Sequence, residues 1–179
     1  MTRNYAHKPL GWRTVLPTIV KKRTQVAECL VLSVKELFAK SLIANNACRV
    51  GAWRWANVGL FQFNGVIYYE ADLRNYEAAT LRLKYEIDGM AADHLLQLSS
   101  AQQGWLGPAW WFRCPLENIS VKKLYLPPNG RRFASRNAHN LIYPSSRPRR
   151  PIEEREMIVL ETKEITRSEC RGLVNKSVG

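Results

Sequence analysis

The chain has 179 residues, of which 46% are apolar, and a formal net charge of +12. This length and apolar content are enough for one core of ordinary size, which excludes a globally disordered chain. The most apolar stretch, residues 26–43, contains the charged residues Glu28, Lys35, Glu36 and Lys40, which exclude a bilayer span.

The positive charge is concentrated in two blocks of sequence that contain no acidic residue. These are residues 1–27 and residues 118–150, whereas bases and acids nearly balance over the rest of the chain. Such blocks raise the local electrostatic potential and attract polyanions, of which nucleic acid is the commonest and an anionic membrane surface the second. Residues 1–27 show no sustained periodicity, so we expect them to form a basic N-terminal arm.

Residues 28–104 are predicted to form a helix followed by a small antiparallel sheet. From Ser33 the apolar residues recur at helical spacing, and Glu36, three residues later, completes a capping-box pattern. Asn45-Asn46 is expected to end this helix. We interpret Trp53 as a core residue of the sheet that follows.

From residue 48 the hydrophobic period changes to two, which is typical of strands. Asn64-Gly65 indicates a hairpin, because both residues tolerate positive φ. The segment TLRLKYEI at residues 80–87 alternates most clearly, and residues 93–99 are expected to return as its antiparallel neighbour. One face of this sheet should be packed and the other hydrated.

The C-terminal third divides into two further parts. Residues 105–146 are predicted to form a hairpin module, and residues 147–179 a basic linker and tail. Residues 151–171 fit a helix start or an alternating strand, and we favour the helix. The predicted fold class is therefore mainly β of the α+β type, with an N-terminal helix, an antiparallel sheet, a ribbon-like hairpin and a C-terminal helix.

The hairpin module contains a Cys-Pro corner, a KLYLP strand and a second polar corner, and it resembles a known pattern. The matching residues are Trp111, Phe112, Cys114, Pro115, Lys123, Leu124, Tyr125, Leu126, Pro127, Phe133, Arg136, His139, Leu141, Tyr143, Ser145 and Arg147. With these residues, the span 32–147 resembles a family of small uncharacterised bacterial, prophage and plasmid proteins that end in a zinc ribbon. The second, third and fourth cysteine positions of that pattern hold Glu117, Ser135 and Ala138 here. The resemblance implies a ribbon-like fold and no established reaction.

A structural zinc site needs four Cys or His ligands, and this module retains one thiol, Cys114. We therefore predict a metal-free hairpin and no cofactor. Apolar packing should replace the metal through Trp110, Trp111, Phe112, Ile119, Leu124, Leu126, Phe133 and Leu141. An ion pair between Glu117 and Arg136 is expected where thiolates would otherwise meet. A residual metal site formed by Cys114, Glu117 and His139 is the alternative.

The four cysteines, Cys29, Cys48, Cys114 and Cys170, are far apart in sequence and match no short disulfide framework. No secretory hydrophobic region is evident at the start of the chain. We therefore expect reduced thiols and a cytoplasmic protein.

The sequence favours nucleic acid, either DNA or RNA, as the partner, with other protein subunits possible and no membrane. The predicted binding residues are Lys21, Lys22, Arg23, Lys122, Lys123, Arg131, Arg132, Arg136, Arg147, Arg149 and Arg150. Tyr125 and Phe133, which lie between these cations in sequence, are interpreted as hairpin core. The expected role is an accessory subunit of a mobile-element or defence nucleoprotein complex.

Two other functions are alternatives to nucleic-acid binding, namely catalysis and the binding of a partner protein. His139-Asn140 is similar to part of a metal-dependent nuclease motif, but a second histidine and a nearby carboxylate are missing from the basic block, so no enzyme is predicted. The second is a protein-binding adaptor or inhibitor that docks on the acidic surface of a partner.

Overall fold

A computed structural model of the chain describes residues 23–56, 65–87, 89–128, 130–143, 157–166 and 169. Of these residues, 52% lie in strands and 10% are helical. In chain order the elements are β1 (Leu30–Ser33), α1 (Val34–Ala39), β2 (Cys48–Trp55), β3 (Val66–Asp72), β4 (Thr80–Ile87), β5 (Met90–Gln102), β6 (Pro108–Arg113), β7 (Ser120–Val121), β8 (Lys123–Leu126) and β9 (Met157–Glu164). Short 3-10 turns cover Val26–Glu28 and Gly104–Leu106.

Seven of the strands form one antiparallel sheet in the order β7-β6-β5-β4-β3-β2-β9, and β1 pairs with β8 in a second sheet of two strands. From β2 to β7 the strands are neighbours in the sheet in the order in which they occur in the chain. Antiparallel strands that follow one another in the chain can pair in this way, because no crossover connection is needed between them. The last described strand, β9, pairs with β2, which is the first strand of this sheet in chain order.

The strand predicted at residues 80–87 is confirmed as β4. Leu81, Leu83, Tyr85 and Ile87 are buried, as the alternation indicates. The returning strand is also present, although β5 is longer than predicted. The hairpin predicted at Asn64-Gly65 stays a prediction, because residues 57–64 lie outside the described residues; β2 and β3 pair antiparallel up to Arg54 and Val66.

The predicted C-terminal helix is wrong, and with it the predicted α+β fold class. Residues Met157–Glu164 form strand β9, which pairs antiparallel with β2. The alternating pattern of MIVLETKE therefore outweighs its helix-compatible composition, because β2 offers a complete edge of backbone donors and acceptors. Gly51 lets the two strands approach closely, since a Cβ there would lie 2.1 Å from the carbonyl oxygen of Glu161. In the described ranges the one α-helix is α1.

The N-terminal helix is confirmed but its predicted capping box is not formed. Ser33 is the N-cap residue and makes no side-chain capping hydrogen bond. The backbone N–H of Val34 instead donates to the carbonyl of Lys122, 3.2 Å away. Strand β1, which directly precedes this helix, was not predicted from the sequence, because LVLS is too short for a period to be assigned.

The larger of two clusters of buried residues in the described ranges spans the sheet and the ribbon-like segment. It includes Leu37 of α1, Trp53 of β2, Leu83 of β4 and Phe112 of β6, together with Phe133. The interpretation of Trp53 as a core residue is confirmed, since it is fully buried. Strands β5 and β6 pair with each other, so segments assigned to two predicted modules share one sheet. The division into modules itself stays a prediction.

Most of the apolar residues expected to replace the metal are buried in the core. Buried members are Trp110, Phe112, Leu124, Leu126, Phe133 and Leu141. Trp111 is half-buried and Ile119 is 43% exposed, so these two contribute less. Apolar packing therefore surrounds the position where the resemblance places a zinc ion.

The cysteines differ from the prediction at one position. Cys29 and Cys114 are buried and are not disulfide-bonded. Cys48 is disulfide-bonded, so the expectation that every cysteine is a reduced thiol is wrong there. Cys170 lies outside the described residues.

Among the helices of the described ranges, none has the length and apolar content that crossing a membrane requires.

Candidate nucleic-acid interface

The four positions at which the zinc-ribbon pattern places ligands lie next to one another in the structure. Cys114 and Glu117 belong to one turn, and Ser135 and Ala138 belong to the other. The backbone N–H of Ser135 donates to Cys114 Sγ over 3.3 Å, and the Ser135 hydroxyl donates to a carboxylate oxygen of Glu117. The N–H of Ala138 donates to Ser135 Oγ over 3.0 Å. Hydrogen bonds therefore join the two turns at the position where the resemblance places a metal ion.

Both turns are closed by backbone hydrogen bonds and contain an asparagine with positive φ. Asn118, at φ 57°, donates its N–H to the carbonyl of Cys114 over 2.9 Å. Asn140, at φ 50°, follows His139, whose N–H donates to the carbonyl of Ser135 over 3.3 Å. Asparagine tolerates the left-handed region better than most residues, so it suits both turns.

The predicted ion pair between Glu117 and Arg136 is not formed. Glu117 accepts a hydrogen bond from the hydroxyl of Ser135. The Arg136 guanidinium lies 4.9 Å from the ring centroid of Tyr143. This distance is typical of a cation–π contact. Arg136 is therefore oriented by an aromatic ring and keeps its charge available for an anion.

The alternative of a residual metal site has little geometric support. The Nε2 atom of His139 lies 3.0 Å from the carbonyl oxygen of Arg132, to which it donates in one tautomer. Within the described part of the chain, no group of three His, Cys, Asp or Glu side chains is arranged to hold a metal ion.

An open groove lies beside these turns, and we refer to it as the basic groove. Its volume is about 340 Å³. The residues that line it are Ile119, Val121, Lys122, Lys123, Tyr125, Ser135, Arg136, Asn137 and Tyr143. None of these described lining residues is acidic, and three of them are cationic.

The cations of the basic groove come from two different parts of the fold. Lys122 and Lys123 lie at the junction of β7 and β8 and are exposed, whereas Arg136 belongs to the second turn. Lys122 Nζ lies 6.0 Å from the ring centroid of Trp111. The pairing of β8 with β1 and the packing of the second turn against Cys114 thus bring separate segments together around one groove.

The tyrosines of the basic groove differ in exposure. Tyr125 is buried, and burial is the main cause that raises the pKa of its phenol, which therefore stays a neutral hydrogen-bonding group. Tyr143 is 62% exposed and stacks with Arg136. The interpretation of Tyr125 and Phe133 as hairpin core is confirmed, since both are buried. Tyr143 is the aromatic residue of the groove with a free surface.

The other predicted cations are distributed around this region. Arg131 and Arg132 are exposed in the loop after β8, where the Tyr85 hydroxyl donates to the carbonyl of Arg131 over 3.1 Å. They do not line the basic groove. Arg23 is exposed and precedes Thr24, whose carbonyl accepts the N–H of Ile142 over 3.2 Å.

Five predicted binding residues cannot be placed in relation to the groove. Lys21, Lys22, Arg147, Arg149 and Arg150 lie outside the described residues.

One cation near the groove was missed by the sequence analysis. Lys35 of α1 lines a second cleft, which it shares with Lys122. Its neighbour in sequence is Glu36, and no local signal distinguishes it from an ordinary solvated helix residue. The hydrogen bond from Val34 to Lys122 brings it to this position.

Comparisons with models of known protein families, with curated proteins and with solved structures find no match for this chain. The resemblance to zinc-ribbon proteins therefore stays a prediction.

Proposed function

We propose that the protein binds nucleic acid, with the basic groove on the phosphate backbone. The observation that carries this proposal is the convergence of Lys122, Lys123 and Arg136 on one open groove whose described lining contains no acid. The three cations come from segments that are separate in sequence. Such an arrangement favours a polyanion over a neutral ligand.

The side chains of the groove match the chemistry of a nucleic-acid backbone. Lysine ammonium groups bind phosphate as point charges, and the guanidinium of Arg136 can donate two parallel hydrogen bonds to one phosphate. The cation–π contact with Tyr143 reduces the number of orientations that Arg136 can adopt. The exposed cations Arg23, Arg131 and Arg132 extend the positive surface beyond the groove.

In this proposal the protein is a non-catalytic accessory subunit of a nucleoprotein complex of a mobile element or a defence system. The support for that setting is the sequence resemblance alone. Other subunits of such a complex are the expected protein partners.

Fluorescence anisotropy with labelled duplex DNA, single-stranded DNA and RNA at two salt concentrations tests the proposal. We expect the logarithm of affinity to fall with the logarithm of salt concentration, with a slope of about −0.9 per neutralised phosphate on a duplex. Replacing Lys122, Lys123 and Arg136 together by Gln should weaken binding on the order of tenfold and reduce that slope.

The matched control removes three positive charges from outside the groove. It replaces exposed residues of β2, β4 and β9 by the substitutions Arg54→Gln, Lys84→Gln and Lys163→Gln. The net charge falls by three, as it does in the groove variant. This control should retain most of the affinity. If no nucleic acid binds even at low salt, the proposal is wrong, and an adaptor docking on an acidic protein becomes the better hypothesis.

We propose the cytoplasm as the compartment in which the protein acts. Cys114, a buried cysteine outside any disulfide, supports a reducing environment. The disulfide at Cys48 weighs against it, because cytosolic thiols are normally kept reduced. Alkylation of free thiols at the moment of cell lysis, followed by mass spectrometry, tests this point. An intact Cys48 disulfide in nearly every molecule would contradict a cytoplasmic location.

A further inference from the structure

The basic groove has a neighbour that the proposed function does not use. A second cleft of about 350 Å³ lies between α1 and β6, and we refer to it as the helix cleft. Lys122 lines both the helix cleft and the basic groove. The two clefts therefore adjoin at one cationic side chain.

The shared residue is held in place from two sides. The carbonyl of Lys122 accepts the N–H of Val34 over 3.2 Å, which ties it to the start of α1. Its ammonium group lies 6.0 Å from the ring centroid of Trp111 on β6. Lys122 is exposed despite these contacts, so its charge faces solvent between the clefts.

Each cleft combines aromatic surface with a further cation. The basic groove has the exposed ring of Tyr143 with Arg136 stacked against it. The helix cleft is lined by the half-buried ring of Phe38 and the exposed Lys35, and the buried Trp110 contributes to its wall. Aromatic rings and cations in succession are what unpaired bases joined by phosphates require, because every base has a π-face for stacking.

Polar groups also line the helix cleft. The Nε1 atom of Trp110 donates to Oδ1 of Asn45 over 2.8 Å, and this bond fixes the orientation of the Asn45 amide. A fixed amide at the edge of a cleft presents a hydrogen-bonding group to a base edge. The ring of Trp110 is held by Tyr76 on another side, at 5.4 Å between centroids.

We propose that the basic groove and the helix cleft together bind a single-stranded segment of nucleic acid. Lys122 contacts the phosphate between two unpaired nucleotides, one base stacks on Tyr143, and the other enters the helix cleft. This inference rests on the proposed function and narrows it to unpaired strands. The bases of a duplex are stacked inside the helix and do not reach clefts of this size. DNA and RNA share the recognised chemistry.

The first experiment measures anisotropy with four labelled probes of equal length, about 12 nucleotides. The probes are oligothymidylate, oligouridylate, a duplex of mixed sequence, and an oligothymidylate in which abasic sites replace alternate nucleotides. We expect both intact single strands to bind on the order of tenfold more tightly than the duplex and the abasic strand. The first two probes distinguish DNA from RNA.

The second experiment uses variants in both clefts. Tyr143→Leu should lose on the order of tenfold in affinity for the single strand, and Tyr143→Phe should keep it, because Phe retains the ring. Lys35→Gln should also weaken single-strand binding, whereas its control, Lys84→Gln on β4, should not. Both targets are exposed, so folding should be unaffected, which circular dichroism checks.

The outcomes separate this inference from the proposed function. Equal affinity for duplex, abasic and intact strands would overturn the single-strand inference and leave phosphate binding intact. An effect of Tyr143→Leu without one of Lys35→Gln would overturn the two-cleft arrangement. Absence of binding by every probe at low salt would overturn the proposed function and the inference together.

Discussion

The backbone N–H of Ser135 donates a hydrogen bond to the sulfur of Cys114, 3.3 Å away. These two residues are 21 positions apart in the chain, and both are almost completely buried. The contact joins the two turns of the ribbon-like hairpin at the position where the resemblance places a metal ion. Hydrogen bonds and apolar packing thus hold the hairpin that carries the basic groove.

Ser135→Ala should destabilise the protein by about 1–3 kcal/mol, because its hydroxyl bonds both Glu117 and the N–H of Ala138 in a buried site. Chemical denaturation measures the change in the free energy of unfolding. The control Asn137→Ala alters an exposed residue of the same turn and should cost much less. Equal effects of the two substitutions would contradict the role assigned to the Ser135 hydroxyl.

The triple variant Glu117→Cys, Ser135→Cys, Ala138→Cys should bind zinc. With Cys114 it presents two Cys-x2-Cys pairs on turns that already contact each other, which is the ligand spacing of structural zinc sites. We expect one zinc ion per chain by elemental analysis and a melting temperature several degrees higher with zinc than with chelator.

The control for the zinc prediction adds Cys114→Ser to the triple variant, which leaves three thiols and should bind zinc more weakly. No zinc in the variant with four thiols would show that the turns are not positioned as a ribbon site.

Gly51→Ala should destabilise the pairing of β2 with β9 by about 1–3 kcal/mol. The added Cβ would lie 2.1 Å from the carbonyl oxygen of Glu161, which is a backbone atom that cannot rotate away. Hydrogen exchange of β9 amides should accelerate more than that of β4 amides. Lys163→Thr, an exposed position of β9, serves as the control. Unchanged protection of β9 in Gly51→Ala would contradict the close approach.

The protein should lose stability as the pH falls from 7 to 5, and His94 should be one cause. Burial, followed by the charge of Arg132, lowers the pKa of His94, while Asp93 opposes this shift. The unfolded state, in which the pKa of histidine is about 6.5, therefore binds a proton at a pH at which the folded state does not. Protonation thus favours unfolding. In the folded state the hydroxyl of Tyr85 forms a hydrogen bond with His94 Nδ1, 2.8 Å away.

The free energy of unfolding of His94→Gln, measured across the same pH range, should fall less steeply than that of the unmodified protein. An identical pH dependence in the protein and in His94→Gln would remove His94 from this account.

Local sequence patterns predicted the elements whose apolar residues recur at a regular spacing. Leu81, Leu83 and Tyr85 identify β4 because a half-buried strand must show one apolar and one polar face. The helical spacing from Ser33 likewise identifies α1. The cationic residues Lys122, Lys123 and Arg136 were also recognised from sequence, since an acid-free block is a property of composition.

Other features depend on contacts that local patterns do not contain. Met157–Glu164 has a composition that suits helix or strand, and pairing with β2 selects the strand. Arg136 contacts the ring of Tyr143 and not the carboxylate of Glu117. That carboxylate instead accepts a hydrogen bond from the hydroxyl of Ser135. Lys35 reaches the helix cleft because Val34 bonds to Lys122, a residue far along the chain.

The amino-acid sequence by itself determined the alternating strand of residues 80–87, the short helix and the presence of a positive surface. The tertiary structure decided which cations meet, since β8 pairs with β1 and the two turns bond through Cys114 and Ser135. The physical reason is that periodicity reports the environment of single side chains. The position of a groove depends on pairings between distant segments, which are selected by the packing of the whole core.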